Sequence, residues 1–210
     1  MLAVLASHPQ IDEPLAPRES VHASLLYIRR TLDAAGRLSS ISGSGMVWVG
    51  ILALVAVLMN LQVTGAPWQS HPISALAVWV ALLTASAVIT GLSMASKARR
   101  ARQAFWSPVL RKALWALSAP MALGAIMTAA LLAHSARELL PVAWLGGYGA
   151  ALTAAGVVSV SPVRWMGISF LALALLALLL PVWAGLALLA MGFGGLHIIF
   201  GAYIFWRHDG

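Results

Sequence analysis

The sequence predicts an all-α polytopic membrane protein: six transmembrane helices in three antiparallel hairpins, preceded by a cytoplasmic amphipathic helix. Three observations carry that expectation. Hydrophobic residues make up 61% of the 210 and charged residues 9%, against roughly a quarter charged in ordinary globular domains. Six segments reach the length of about 20 apolar residues needed to cross a bilayer core. The net charge of +7 is gathered between those segments, where it sets topology and does not mark a nucleic-acid surface.

Residues 1–17, MLAVLASHPQIDEPLAP, open with a short apolar run. It lacks the basic flank and the length of a secretory signal, so an uncleaved, mobile N-terminal arm is expected. Residues 18–42 follow as an amphipathic interfacial helix. Val21, Leu25, Ile28, Leu32 and Ala35 alternate at spacings of four and three and form one apolar stripe, with Arg29, Arg30 and Arg37 mostly off it. Such a helix lies in the headgroup plane or pairs with a partner helix. Gly43 and Gly45 in SISGSG then predict a flexible joint, and residues 43–210 form the transmembrane bundle.

The spans are expected at 46–63, 73–95, 113–134, 139–160, 163–182 and 184–206, separated by turn chemistry such as Gly65 with Pro67 and Ser161 with Pro162. The last two turns are tight and predict that spans four, five and six are consecutive antiparallel neighbours. Twelve of the 13 Lys and Arg fall on one side and only Arg137 on the other. The positive-inside rule therefore places both termini in the cytoplasm of a bacterial inner-membrane protein. Trp48, Trp106, Trp115, Trp165 and Trp206 fall at the inner ends and Trp68, Trp144 and Trp183 at the outer ends, as indole's headgroup preference requires. Trp79 alone lies within a span.

The basic linker 97–112 contains Lys97, Arg99, Arg100 and Arg102. It is read as a surface for anionic lipid, worth about 1 kcal/mol per basic residue, or as a contact for a protein partner.

Chemistry is sparse. The chain has no cysteine, which excludes thiolate metal sites and cysteine nucleophiles. The central portions of the spans hold no Asp, Glu, Lys or Arg, which argues against a proton pump or an acid-pair hydrolase. Asn60, Thr84, Ser86, Thr128, Thr153 and Ser169 read as interhelical glue. Pro120 is expected to loosen the third span, and the glycines around Tyr148 predict a central fourth span. SGSG lacks the strand-turn-helix setting of a nucleophile elbow, and GFGG inside a lipid-spanning segment is no phosphate loop.

His197, in GFGGLHIIFG, stands out because an imidazole at mid-depth needs a partner. Ala187, Ala190, Gly194, His197 and Gly201 fall on one helical stripe of small residues. Three roles stay open for His197: a neutral histidine bonded to a hydroxyl or carbonyl on span two or three, a polar contact in a ligand pocket with Gly194, Gly201 and Tyr148, or an axial ligand to haem or chlorophyll. His134 lies near the outer face, about 20 Å away in depth, so a bis-histidine haem is not expected. No metal-ligand spacing occurs, and no cofactor is expected.

The segments YIRRTLDAAGRLSSISGSG, SAPMALGAIMTAALL and GFGGLHIIFGAYIFWRHDG resemble a family of uncharacterised bacterial six-helix integral membrane proteins, over most of residues 20–210. The resemblance implies that an ESxxYIR helix leads into the membrane and a GFGxLHIxxG helix closes the bundle. Ser42 stands where proline is common in that family, and the chain ends RHDG where a basic residue and paired glycines are usual. Members look like companions of small winged-helix transcription regulators, which implies a sensing role.

The expectation is a non-enzymatic membrane protein that senses or binds a hydrophobic ligand, a lipid or a partner protein. Two alternatives stand beside it: a subunit of a larger complex, with haem, quinone or chlorophyll near His197, and a small transporter of an uncharged solute. The lipid bilayer is the expected partner, with a protein partner at the amphipathic helix or a second copy of the chain as further possibilities and no nucleic acid.

Overall fold

The computed structural model describes residues 24–26, 41–65, 71–102 and 104–208. The chain divides into two units, Met1–Gly36 and Arg37–Gly210. Of the first, residues 24–26 are described, and they are helical with Leu25 and Leu26 exposed. The expected arm 1–17 and most of the amphipathic helix 18–42, with Arg29, Arg30 and Arg37, lie outside the described residues.

The second unit is helical, and six of its segments are long and apolar enough to cross a membrane. Five are α1 (Gly43–Thr64), α2 (Pro72–Arg100), α3 (Pro108–Ala133), α4 (Leu140–Ala155) and α5 (Ser161–Leu179). The sixth, Val182–Arg207, is composite. A 3-10 turn (Val182–Ala184) leads into α6 (Gly185–Leu189), then a π-helix (Ala190–Leu196), then α7 (His197–His208).

The helix starts follow local chemistry. Ser107 caps α3 by accepting from the Leu110 amide at 3.1 Å, and Ser42 caps α1 by accepting from the Gly45 amide at 3.3 Å. Each satisfies an amide that the first turn leaves without a partner. Proline stands in the first turn of α2, α3, α4 and α5, where its missing N–H is harmless. Gly65 ends α1 at φ 65°, a conformation that favours glycine.

These caps shorten the basic linker. Lys97, Arg99 and Arg100 form the last turn of α2, where cations complement the helix dipole, and Arg111 and Lys112 lie in the first turns of α3. Pro120 is accommodated within an unbroken α3. Trp48, Trp106, Trp115, Trp165, Trp183 and Trp206 are exposed at span ends, while Trp79 is buried.

Glycine sets the closest packing. Lipid tails are as apolar as leucine, so helices associate through contact and not through escape from water. A Cβ on Gly50 would lie 2.7 Å from the Gly194 carbonyl and 2.7 Å from Ile198, and one on Gly201 would lie 2.9 Å from the Gly43 carbonyl. The antiparallel α1 and sixth span therefore meet backbone to backbone. Gly43 and Gly45 are the first turn of α1 and not a joint; a Cβ on Gly43 would strike the Gly201 carbonyl and the Phe205 backbone. Likewise Gly149 of α4 approaches the Gly167 carbonyl of α5, at 2.9 Å from a built Cβ.

The first two hairpins pair as expected, α2 along α1 and α3 along α4. The sixth span contacts α5 but packs more on α1, because glycines on both sides permit that approach. α2 and α3 approach each other little along their length and meet at the basic end, where Met94 packs with Leu110 and Ala113. The apolar core runs through α1, α4, α5 and the sixth span, with Phe170, Leu145, Met166 and Leu189 fully buried.

Gly50→Val should destabilise the detergent-solubilised protein by about 1–3 kcal/mol, the usual range for overpacking. Gly195→Ala, with nothing within 4 Å of its added carbon, should leave the thermal unfolding midpoint unchanged. Equal midpoints for the two variants would contradict the close approach of α1 and the sixth span.

Candidate ligand cavity at the centre of the bundle

Beside the loose approach of α2 and α3, a cavity of about 470 Å³ opens, within the range of small-molecule sites. All six spans contribute to its wall. Leu83 and Thr90 of α2 and Leu114 of α3 line it and are also exposed, so the space reaches the lipid-facing surface between these helices. Along α2 it runs from Trp79 to Met94, about 22 Å at 1.5 Å per residue. One end lies near Ile41, Phe105 and Trp106, at the basic end of the bundle. The wall is mainly Leu, Met, Ala and aromatic side chains.

His197 and Tyr148 both line this cavity. His197 is 4% exposed, and its Nε2 lies 2.9 Å from the Tyr148 hydroxyl oxygen. The expected hydroxyl partner is thus present, but α4 supplies it and not α2 or α3. Tyr148 sits two turns inside α4. Both rings belong to an aromatic cluster: Tyr148 to Phe170 at 4.9 Å, Tyr148 to Phe193 at 5.2 Å, Phe170 to His197 at 5.7 Å and a stacked Phe193–His197 pair at 6.3 Å between centroids.

The π-helix explains the aim of the imidazole. Three of its seven residues are glycine, which lets the backbone take the wider turn; such segments recur at functional sites. Across it, Gly194 faces Leu54 of α1, whereas the His197 ring meets α4 and α5 through Tyr148 and Phe170. The single stripe that regular α periodicity projects through Gly194, His197 and Gly201 is broken. Gly194 and Gly201 pack on α1 and are not among the cavity-lining residues.

Trp79, Ser159 and His197 line the cavity, and each also carries a polar atom, Nε1, Oγ and Nδ1 respectively, that is buried off the cavity surface without a hydrogen-bond partner. The three residues are 7%, 5% and 4% exposed. The carbonyls of Gly192 and Phe193 face the imidazole but do not bring Nδ1 within hydrogen-bonding geometry. An unmatched buried polar group costs about 1–3 kcal/mol. Asn60 Nδ2 and Arg137 Nε are also unmatched, and their residues do not line the cavity.

His197 Nε2 is bonded to Tyr148, so axial ligation of a haem or chlorin through that atom would require this bond to break. Among the described residues, no group of three His, Cys, Asp or Glu side chains is placed to hold a metal ion.

Of the basic residues singled out in the sequence, Arg99, Arg100 and Arg102 are exposed at the end of α2. Lys97 is half-buried, and its Nζ donates to the Ile41 carbonyl at 3.0 Å. They stand at the cavity's basic end and do not enter it. Trp79, Phe193 and Ser159 are the site residues that periodicity did not mark. For Trp79 a signal existed, since it is the one tryptophan away from the span ends.

The fold and its cavity define a multi-pass helical membrane protein with an interior that opens sideways. Comparison with protein-family models, with curated proteins and with solved structures finds no match to this chain.

Tyr148→Phe deletes only the hydroxyl and leaves His197 Nε2 without its partner, so stability in detergent should fall by about 1–3 kcal/mol. In the Tyr148→Phe/His197→Phe double variant the loss should be smaller than the sum of the single losses, because neither buried group is then abandoned. Strict additivity would show that the bond at 2.9 Å carries no energy.

Proposed function

We propose that this chain is a non-enzymatic membrane module that takes a lipophilic ligand from the bilayer, between α2 and α3, into its central cavity. The observation that carries the reading is the largely apolar cavity of about 470 Å³ that all six spans line and that reaches the lipid-facing surface between α2 and α3. A space of this size and lining fits a ligand that is mostly hydrocarbon. The loose contact between α2 and α3 supports lateral entry. Their lipid-facing surfaces, rich in exposed leucine and valine, support a bilayer as the source.

The same reading places the chain in a bacterial inner membrane with both termini in the cytoplasm. The basic end of the bundle, with Arg99, Arg100, Arg102, Arg111, Lys112, Arg164 and Arg207 exposed, supports that orientation under the positive-inside rule. Ligand occupancy would be reported at that end, where α2, α3 and the entry to α1 converge on the cavity through Ile41, Met94 and Leu110. A protein partner docking there would sense the bound state.

Two experiments test this. A Cβ on Gly91, which lines the cavity, would meet nothing within 4 Å, so Gly91→Leu plugs the space without disturbing packing. Solvent extraction and mass spectrometry of washed, purified protein should find a lipophile bound about one to one in the parent chain, reduced several-fold in Gly91→Leu. Equal retention by both proteins, or none by either, would sink the reading. For orientation, the absence of cysteine makes single labels clean. An impermeant maleimide on intact cells should modify His134→Cys and spare Arg102→Cys; the reverse pattern would invert the topology.

A further inference from the structure

The cavity is one acyl chain wide. Its volume of about 470 Å³, spread over the run of about 22 Å along α2, leaves a mean cross-section of about 20 Å². An extended chain of single bonds advances about 1.2 Å per bond, a third of the rise of an extended residue, so that run takes about 18 carbons. At roughly 30 Å³ for a group the size of a water or a methylene, the volume holds about 16. Length and volume agree on a single chain of ordinary membrane lipid, with no room for a second.

Hydrocarbon alone does not select among lipids. Bilayer tails are as apolar as the leucines and methionines of the wall. A chain moving in gains the contacts that an empty space lacks, whatever headgroup it carries. Selection falls to the polar features, and these are gathered toward one end. Ser86, Thr90 and Ser93 line the cavity from the middle of its run to the basic end. Among the described residues none of these three hydroxyls has a hydrogen-bond partner, whereas Thr84, off the cavity, bonds the Val80 carbonyl. Toward the far end α2 presents Leu83, Leu82 and Trp79 instead.

Beyond Ser93 the charge is of one sign. Arg100 stands two turns further along the same face of α2, and Arg111 one turn before the cavity-lining Leu114 of α3. Both are exposed. Phe105 and Trp106, between them in the chain, line the mouth, and indole sits by preference at headgroup level. Among the described residues the one acidic side chain is Glu138, at the opposite end of the bundle, so no described carboxylate offsets these cations.

We infer that the occupant is an anionic glycerophospholipid, its phosphate at the basic end between Arg100 and Arg111 and one acyl chain drawn into the cavity toward Trp79. This rests on the reading of the cavity as a ligand site. The ester oxygens of the glycerol are acceptors and match the hydroxyls of Ser93 and Thr90. The opening between α2 and α3, at Leu83 and Leu114, lets the second chain stay in the bilayer, so a one-chain space holds a two-chain lipid. A zwitterionic headgroup adds a cation beside Arg100 and Arg111, and like charges repel.

The test places the full chain in phosphatidylcholine nanodiscs with a trace of phosphatidylglycerol that bears a diazirine at the end of one acyl chain. Light should attach it to Trp79 or Phe193, which line the cavity. Trp79 is buried from bulk lipid, and Gly91→Leu should remove the label. Phosphatidylcholine with the same diazirine chain should label these residues about tenfold less, as two basic residues beside one phosphate imply. Arg100→Gln/Arg111→Gln should abolish the preference, and Arg100→Lys/Arg111→Lys should keep it, because charge and not fork geometry decides. Equal labelling by the two lipids, no label at Trp79 or Phe193, an unchanged preference in the glutamine variant, or chain-end label at Met94 and Leu110 instead would each overturn the inference. So would oleate competing as strongly as unlabelled phosphatidylglycerol, which would assign a free fatty acid. With any of these results, a lipophile retained by the parent chain and lost in Gly91→Leu would leave the cavity reading in place. No label inside the cavity and no retained lipophile of any kind would remove both.

Discussion

In hydrocarbon every polar group must find its partner within the protein, and this constraint organises the structure from backbone to cavity. It leaves helices as the form of all six spans. It puts serine or proline at helix starts, where amides lack intrahelical acceptors. It turns in-span hydroxyls back on their own helices: Thr84 bonds the Val80 carbonyl, Thr128 that of Gly124, Thr153 that of Gly149 and Ser169 that of Trp165. Trp144 then donates to Thr128. Against such satisfaction, polar atoms left unmatched stand out, and three of them belong to residues that line a single space.

That space is a consequence of where the small residues lie. Gly43, Gly50, Gly194 and Gly201 draw α1 and the sixth span together, and Gly149 with Gly167 draws α4 to α5. α2 and α3 have no equivalent. A Cβ on Gly91 or Gly124 would meet nothing within 4 Å, so these glycines are not used for backbone contact between the two helices. With no hydrophobic drive to close the gap in lipid, the bundle remains open on that side. The lack of glycine-mediated contact between α2 and α3 thus accompanies both the cavity and its lateral mouth.

Much of this architecture was legible in composition and period. Length, apolarity and turn residues located the six spans to within a few residues at most ends. The main exceptions were α2 and α3, where Ser107 and Pro108 cap a helix that apolarity alone would start later. The site was legible only in part. His197 and Tyr148 drew notice as polar groups in apolar helices, but the pairing between them is tertiary and joins α4 to the sixth span, which no single span encodes. The glycine stripe through His197 failed for a physical reason. Projection at 3.6 residues per turn assumes an unbroken α-helix, and the π-helix Ala190–Leu196 inserts a wider turn. The same glycines that suggested a close-packed face supplied the freedom to break its period.

A structural histidine and a ligand-binding histidine differ in whether the rest of the fold completes their bonding. His197 is half completed: Tyr148 answers Nε2, and Nδ1 is left without a partner inside the wall of a cavity. Were its role purely to hold the sixth span against α4 and α5, the packing of Phe193 on Tyr148 and Phe170 would serve, and a phenyl ring in its place would avoid an unmatched nitrogen. Trp79 presents the same case, since phenylalanine would fill the gap against Trp144 and Phe193 without a stranded N–H. Both costly choices fall on residues that line a cavity reaching lipid, and neither is needed for packing alone.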